Sequence, residues 1–200
     1  MEPCRCPWCL GDAAYIEYHD AEWGVPLRDD RRLFELLLLE GAQAGLSWLT
    51  VLKRREGYRS AFSGMNPEVI ARYGDADVER LMGDARIIRN RRKILSAVGN
   101  ARAYLALRET AAFSDWLWDW VDGEPLVNCP RALSELPVST PLSERVAKEL
   151  KRRGFSFVGS TIVYSFMQSA GLVNDHLADC FRHPMQQAAQ PGGNGTSETD

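Results

Sequence analysis

Two stretches of this chain carry residue types suited to binding a metal. "DHLADC" sets His176 and Cys180 four residues apart, so on one helical turn both side chains face the same way. "EYHDAEWG", residues 17–24, places His19 among carboxylates and aromatics. Cys4, Cys6 and Cys9 crowd the N-terminus. A structural zinc takes four nitrogen or sulfur ligands. One N-terminal cysteine with His19, His176 and Cys180 makes such a set and ties the N-terminal arm to the C-terminal segment. Spacing leaves open which cysteine serves. It equally leaves open a surface histidine beside unrelated buried thiols. The spacings are not those of zinc fingers, and no HExxH motif occurs.

A second group of residues could build a ligand pocket. Glu40 ends the almost wholly apolar run in "LFELLLLEGAQAGLSW", either at a solvated helix end or in a pocket that perturbs it. Trp48 follows, and Tyr15, Tyr18 and Trp23 lie in and around the His19 stretch. Aromatics at these spacings are either core or a stacking platform. Aromatics with a carboxylate suit a nucleobase, which stacks and donates from its exocyclic amine. Basic runs could hold phosphates on either side. "RIIRNRRK" (86–93) has five basic residues and no acid, and "KELKRR" (148–153) has four against one glutamate. Solvated helix faces also look like this.

The elements that must position these groups read as helices. Asp29 and Asp30 can cap a helix through "RRLFELLLLEG", buried because it is apolar on nearly every side. Ser47 caps a helix through "LSWLTVLKRRE". Asn66, Pro67 and Gly74 bound the next, and Asp75 and Gly83 the one after. A long helix follows from "RRKIL" through "LALRE", then a Trp-rich one capped by Ser114, one from Thr140 to Gly154, and a last one through "GSTIVYSFMQSAGLVNDH". No period-2 run argues for a sheet, so the fold expected is all-α. One domain is expected over 1–185, with room for two helical lobes, and a polar, Gly-rich disordered tail over 186–200.

The 200 residues, 45% apolar and 26% charged, describe a soluble globular protein able to bury a core. A net charge of −3 does not mark a nucleic-acid binder globally, so contact with DNA has to rely on local patches. No apolar stretch suffices to cross a bilayer, and "MEPCRCPWCL" does not read as a secretory signal, so the expected location is cytoplasmic. Five cysteines, an odd number, argue against a disulfide framework.

Four collinear blocks, "YHDAEWGVP", "LFELLLLEGAQAGLSWLTVLKRRE", "DARIIRNRRKI" with "NARAY", and "RRGFSFVGSTIVYSFMQSAGLVNDH", resemble the 3-methyladenine DNA glycosylase I (Tag) family over about residues 6–183. The resemblance implies a monofunctional repair enzyme of the helix-hairpin-helix superfamily. Such an enzyme flips 3-methyladenine out of double-stranded alkylated DNA, hydrolyses its N-glycosidic bond, and releases the free base from an abasic site. It implies one structural zinc on Cys6, His19, His176 and Cys180, with Cys6 selected because "CPW" keeps the family register. The base-contacting glutamate maps to Glu40 and the pocket aromatics to Tyr15, Tyr18 and Trp48, with Trp8 and Trp23 matching further aromatics. The hairpin falls at 83–89, with Arg86 where glycine is common in the superfamily. Arg86, Arg89, Arg92 and Lys93 become the expected phosphate contacts, and Gly45 with Leu46 the residues pressed into the gap left by the base. A monomer is the family expectation. Two other classes remain to be separated by experiment: a non-catalytic DNA-binding module with structural zinc, and a metal-dependent hydrolase built on the His19 stretch.

Overall fold

The structure is a computed structural model, and it describes residues 2–189. Asp12 starts the first helix, α1 (Ala13–Ala21), by accepting from the Ala14 amide at 3.0 Å. Tyr15, Tyr18 and His19 lie three and four residues apart on it, so they share one face. This helix is short and its apolar residues are spread around it, so the apolar period does not reveal it.

At the centre lies α2 (Asp30–Gln43), whose Leu33, Phe34, Leu37, Leu38, Leu39 and Glu40 are all buried. It packs against α3 (Trp48–Leu52), α7 (Arg91–Arg108), α8 (Phe113–Trp118) and α10 (Ser160–Ser169). The single helix expected after Ser47 is two. Ser47 caps α3 as expected, accepting from the Thr50 amide, and the chain then turns at Lys53 and Arg54 into α4 (Arg55–Ala61). The turn lets α4 reach the hairpin segment. A Cβ on its Gly57 would stand 2.6 Å from the Arg86 carbonyl oxygen, so only glycine permits that approach.

Asn66 caps α5 (Pro67–Ile70) as expected. Gly74, and not Asp75, occupies the cap position of α6 (Asp75–Met82), where Asp77 accepts from the Gly74 amide. Nor does Ser114 cap α8. The Asp30 carboxylate does so from across the fold, accepting from the Phe113 and Ser114 amides at 3.1 and 2.8 Å, because Asp29 alone serves α2. Thr140 caps α9 (Pro141–Arg152) as read.

The last helix of the sequence reading stops early. α10 ends at Ser169, and the chain then forms β2 (Val173–Asn174), parallel to β1 (Leu126–Val127). Two residues per strand leave no alternation to read. His176 and Cys180 therefore sit on a turn closed by the Cys180 amide on the Leu177 carbonyl, not on a helix. A short helix, α11 (Pro184–Ala189), closes the described chain. Residues 186–189 of the expected disordered tail belong to it, and 190–200 lie outside the described residues.

Candidate active site and metal centre

Cys6, His19, His176 and Cys180 meet although three distant segments carry them. One potential ligand atom from each lies within 4.8 Å of the others, and all four residues are buried. Cys180 Sγ is 3.4 Å from His19 Nε2 and 3.5 Å from His176 Nδ1, and Cys6 Sγ is 3.7 Å from His176 Nδ1. The outer ring nitrogens are both taken. His19 Nδ1 donates to Asp20 at 2.7 Å, and Arg5 in turn grips that carboxylate. His176 Nε2 donates to the Trp23 carbonyl at 3.1 Å. These bonds fix the tautomers so that unprotonated nitrogens face the cluster. Gly24 permits this fit, since a Cβ there would stand 3.0 Å from His176 Nε2. The Leu177 amide donates to Cys6 Sγ. The sulfurs divide their proton unequally. The hydrogen bond from the Cys6 thiol holds Cys180 far below the usual thiol range, while the same contact, with burial, raises Cys6. The donor set can hold a metal ion.

Beside this cluster lies a cavity of about 210 Å³ lined by Trp8, Tyr15, Tyr18, Trp23, Glu40 and Trp48, with Gln43, Leu136, Ser165, Gln168 and Ser169. The rings pack edge to face or tilted. Trp8 lies 4.9 Å from Tyr15 and 5.0 Å from Trp23, and Tyr18 lies 5.5 Å from Trp48, measured between ring centres. Trp8 and Trp23 belong to both sites, since they also touch His19 and His176 at 5.3 and 4.6 Å.

Glu40 is 1% exposed, with no cation beside it among the described residues. A chain of hydroxyls reaches it. Tyr18 Oη donates to Ser169 Oγ at 2.9 Å, and Ser169 Oγ donates to Glu40 Oε1 at 2.7 Å. Glu40 Oε2 and Trp48 Nε1 are buried without a partner among the described residues. Burial pushes the Glu40 carboxyl up to about 8 against the restraint of Ser169. Burial, and then Glu40, raise the Tyr18 phenol, so it stays a donor. Sequence reasoning missed Ser169, Gln168, Gln43, Ser165 and Leu136. Three of these, Ser165, Gln168 and Ser169, lie in the "YSFMQSAG" block at i, i+3 and i+4 on one face of α10, a pattern that a solvated helix face also gives.

A family model of methyladenine glycosylase matches residues 8–183. The chain belongs to the methyladenine glycosylase family. Within this family it is 52% identical over 181 residues to DNA-3-methyladenine glycosylase 1 of Escherichia coli K12, covering 90% of this chain and 97% of that protein. A crystal structure of a 3-methyladenine DNA glycosylase I superposes with a TM-score of 0.89 at 53% identity, covering 90% of this chain and all of the other. The Staphylococcus aureus 3-methyladenine DNA glycosylase I, solved to explain 3-methyladenine recognition, gives 0.86 at 38% identity over 95% and 98% of the two chains.

In this glycosylase-family chain the expected DNA contacts divide. Arg89 and Arg92 are exposed and make no hydrogen bond or ion pair among the described residues. Gly45, at a φ of +78°, and Leu46, 40% exposed, form the loop between α2 and α3. Lys93 is engaged within the fold. Its ammonium donates to the Ala42 and Ala44 carbonyls at 2.7 Å each, because the C-terminal end of α2 leaves carbonyls unpaired there. Arg86 is engaged too. Its side chain grips Asp84, whose pKa it holds down to about 2, and its amide donates to Asp84 at 2.9 Å in a turn.

Proposed function

We propose that this chain flips 3-methyladenine out of duplex DNA into the aromatic cavity, hydrolyses its N-glycosidic bond and leaves an abasic site. The family and its named relatives support the activity. The observation that carries it here is Glu40, a buried carboxyl with one unpartnered oxygen in an aromatic chamber. Such an oxygen needs a ligand that brings donors or positive charge.

A 3-methylated adenine on deoxyribose is a cation, so its bond to the sugar is already weak and needs no protonation. When the bond breaks, its electron pair leaves with the base, which becomes neutral, while positive charge passes to the sugar. Water then adds to the sugar carbon and loses a proton. Tyr18 and Trp48 offer ring faces to the cation, worth roughly 0.5–2 kcal/mol each. The arriving charge favours the Glu40 carboxylate, whose proton passes to solvent as the base enters, and that carboxylate accepts from the base edge and stabilises the charge passing to the sugar. In this reading Glu40 recognises and stabilises and is not the sole activator of water. Ser169 orients it, and Tyr18 orients Ser169. Arg89 and Arg92 face the phosphates, and Leu46 with Gly45 fills the gap in the duplex.

The Cys2His2 cluster fits a structural zinc. A tetrahedron with metal–ligand bonds of ~2.0–2.3 Å has edges of roughly 3.3–3.8 Å. The three close separations, 3.4, 3.5 and 3.7 Å, fall in that range. Cys6, His19, His176 and Cys180 would hold the ion, which would supply a cross-link between the chain's two ends. With four protein ligands no position is left for a reacting water. No described helix is long and apolar enough to cross a membrane. The reading takes the enzyme as a cytoplasmic monomer.

Release of methylated bases from alkylated duplex DNA, with and without a chelator, tests the proposal. The expected result is release of 3-methyladenine that a brief chelator treatment does not abolish. Retention on DNA without release would instead identify a binding module. Immediate loss on chelation would identify a metal-dependent hydrolase.

A further inference from the structure

Asp175 is a buried carboxylate, 1% exposed, beside the cluster residue His176. Three donors converge on it. Asn128 Nδ2 reaches Oδ1 at 2.7 Å, and Tyr164 Oη and Gln168 Nε2 reach Oδ2 at 2.5 and 2.6 Å. Gln168 lines the aromatic cavity and directly precedes Ser169, the residue bonded to Glu40. A free glutamine amide can turn either its oxygen or its nitrogen toward a ligand. A carboxylate only accepts, so Asp175 fixes which end of Gln168 faces inward. The carbonyl oxygen is left for the cavity, and no described residue bonds it.

We propose that Asp175 is a positioning residue that locks Gln168 as a hydrogen-bond acceptor, and that this lock selects 6-aminopurines over 6-oxopurines. The inference rests on the reading that the cavity receives a methylated purine. An amine at position 6 donates toward the part of the cavity wall formed by Gln168 and Glu40, which accepts, while Gln43, Ser165 and Tyr15 line the rest. An oxo group there sets acceptor against acceptor. Trp48 Nε1 cannot relieve this for both walls, since it is a single donor. Leaving a buried polar group unmatched in this way discriminates by about ten- to a hundred-fold.

Binding of free 3-methyladenine and free 3-methylhypoxanthine, which differ in the group at position 6 and in the one ring N–H that the oxo base carries, is read by quenching of tryptophan fluorescence. The wild type is expected to prefer 3-methyladenine by about ten-fold or more. Gln168→Met keeps the bulk and removes the acceptor, and is expected to bring the two affinities within about three-fold. Asp175→Asn frees the amide to turn and lowers the preference part-way. Adding Asn128→Asp restores it, because a carboxylate at 128 turns the oxygen of the new residue 175 back toward Gln168. A merely structural role for Asp175 does not yield that rescue. A preference in Gln168→Met equal to the wild type's would overturn the lock while leaving the cavity reading intact, as would equal loss of both bases in that variant. If the wild type binds neither base, the cavity reading falls and the lock with it. Binding without release from DNA strikes only the proposed catalysis.

Discussion

Two groups of polar side chains face each other across Trp8 and Trp23, and they are finished in opposite ways. In the Cys2His2 cluster every outer atom is matched: Asp20 and Arg5 stand behind His19, the Trp23 carbonyl behind His176, and an amide against Cys6. In the cavity, Glu40 Oε2 and Trp48 Nε1 are buried and unmatched. A protein leaves few such atoms, because each costs about 1–3 kcal/mol. The matched group is built to stay as it is, and the unmatched one to receive something.

The largest expected effect comes from breaking the matched side. Cys180→Ala should abolish stoichiometric metal, measured on the purified protein, and lower stability by several kcal/mol in denaturant melts. Full metal content in that variant would remove Cys180 from the ligand set. Base release should fall in parallel, because α1 carries both His19 and Tyr18.

Next in size is the unmatched side. Glu40→Gln keeps the shape but not the charge, and should slow excision about 10²-fold, equivalent to ~2.7 kcal/mol. Affinity for abasic DNA should hardly change, and equal losses in both would argue against a role in the pocket. The same variant sharpens the contrast through pH. The Glu40 pKa is raised on folding from 4.5 to about 8, so its protonated form favours the folded state. That contribution is complete below 4.5 and is lost as pH rises toward 8. Unfolding free energies of the wild type from urea melts should therefore decline across this window by more than those of Glu40→Gln, by roughly 5 kcal/mol for the full shift. A wild-type profile parallel to the variant's would show that the carboxyl is not held protonated.

The smallest effects separate two cations of the basic run. Lys93→Met should cost about 1 kcal/mol of stability, since two α2 carbonyls lose their partner, and should leave the salt dependence of DNA binding alone. Arg92→Ala should do the reverse, reducing the slope of log affinity against log salt by about one.

That pair also marks where sequence reading stopped. "RIIRNRRK" shows five positive charges but not their partners, which are carbonyls, carboxylates or open solvent. The Glu40 and aromatic set was visible because its types are rare and because the surrounding blocks resemble a known family. Ser169 and Gln168 were not visible. A serine 129 residues from the carboxylate it orients leaves no local trace, and neither does the Asp30 that caps α8 from 84 residues away. Helices with strong caps and long apolar faces were legible, as with α2 and α9. Short segments held by the rest of the fold were not, as with α1, the β1–β2 pair and the turn bearing His176 and Cys180.

The ligand set spans almost the whole described chain, with 170 residues between Cys6 and His176. During synthesis the first two ligands leave the ribosome long before the last two, so the set is incomplete until translation is nearly finished. A chain cut short before Cys180 lacks one of the four buried side chains of the cluster beside the Tyr18 wall of the cavity, whatever else has folded. Capacity to extract a base thus arrives last.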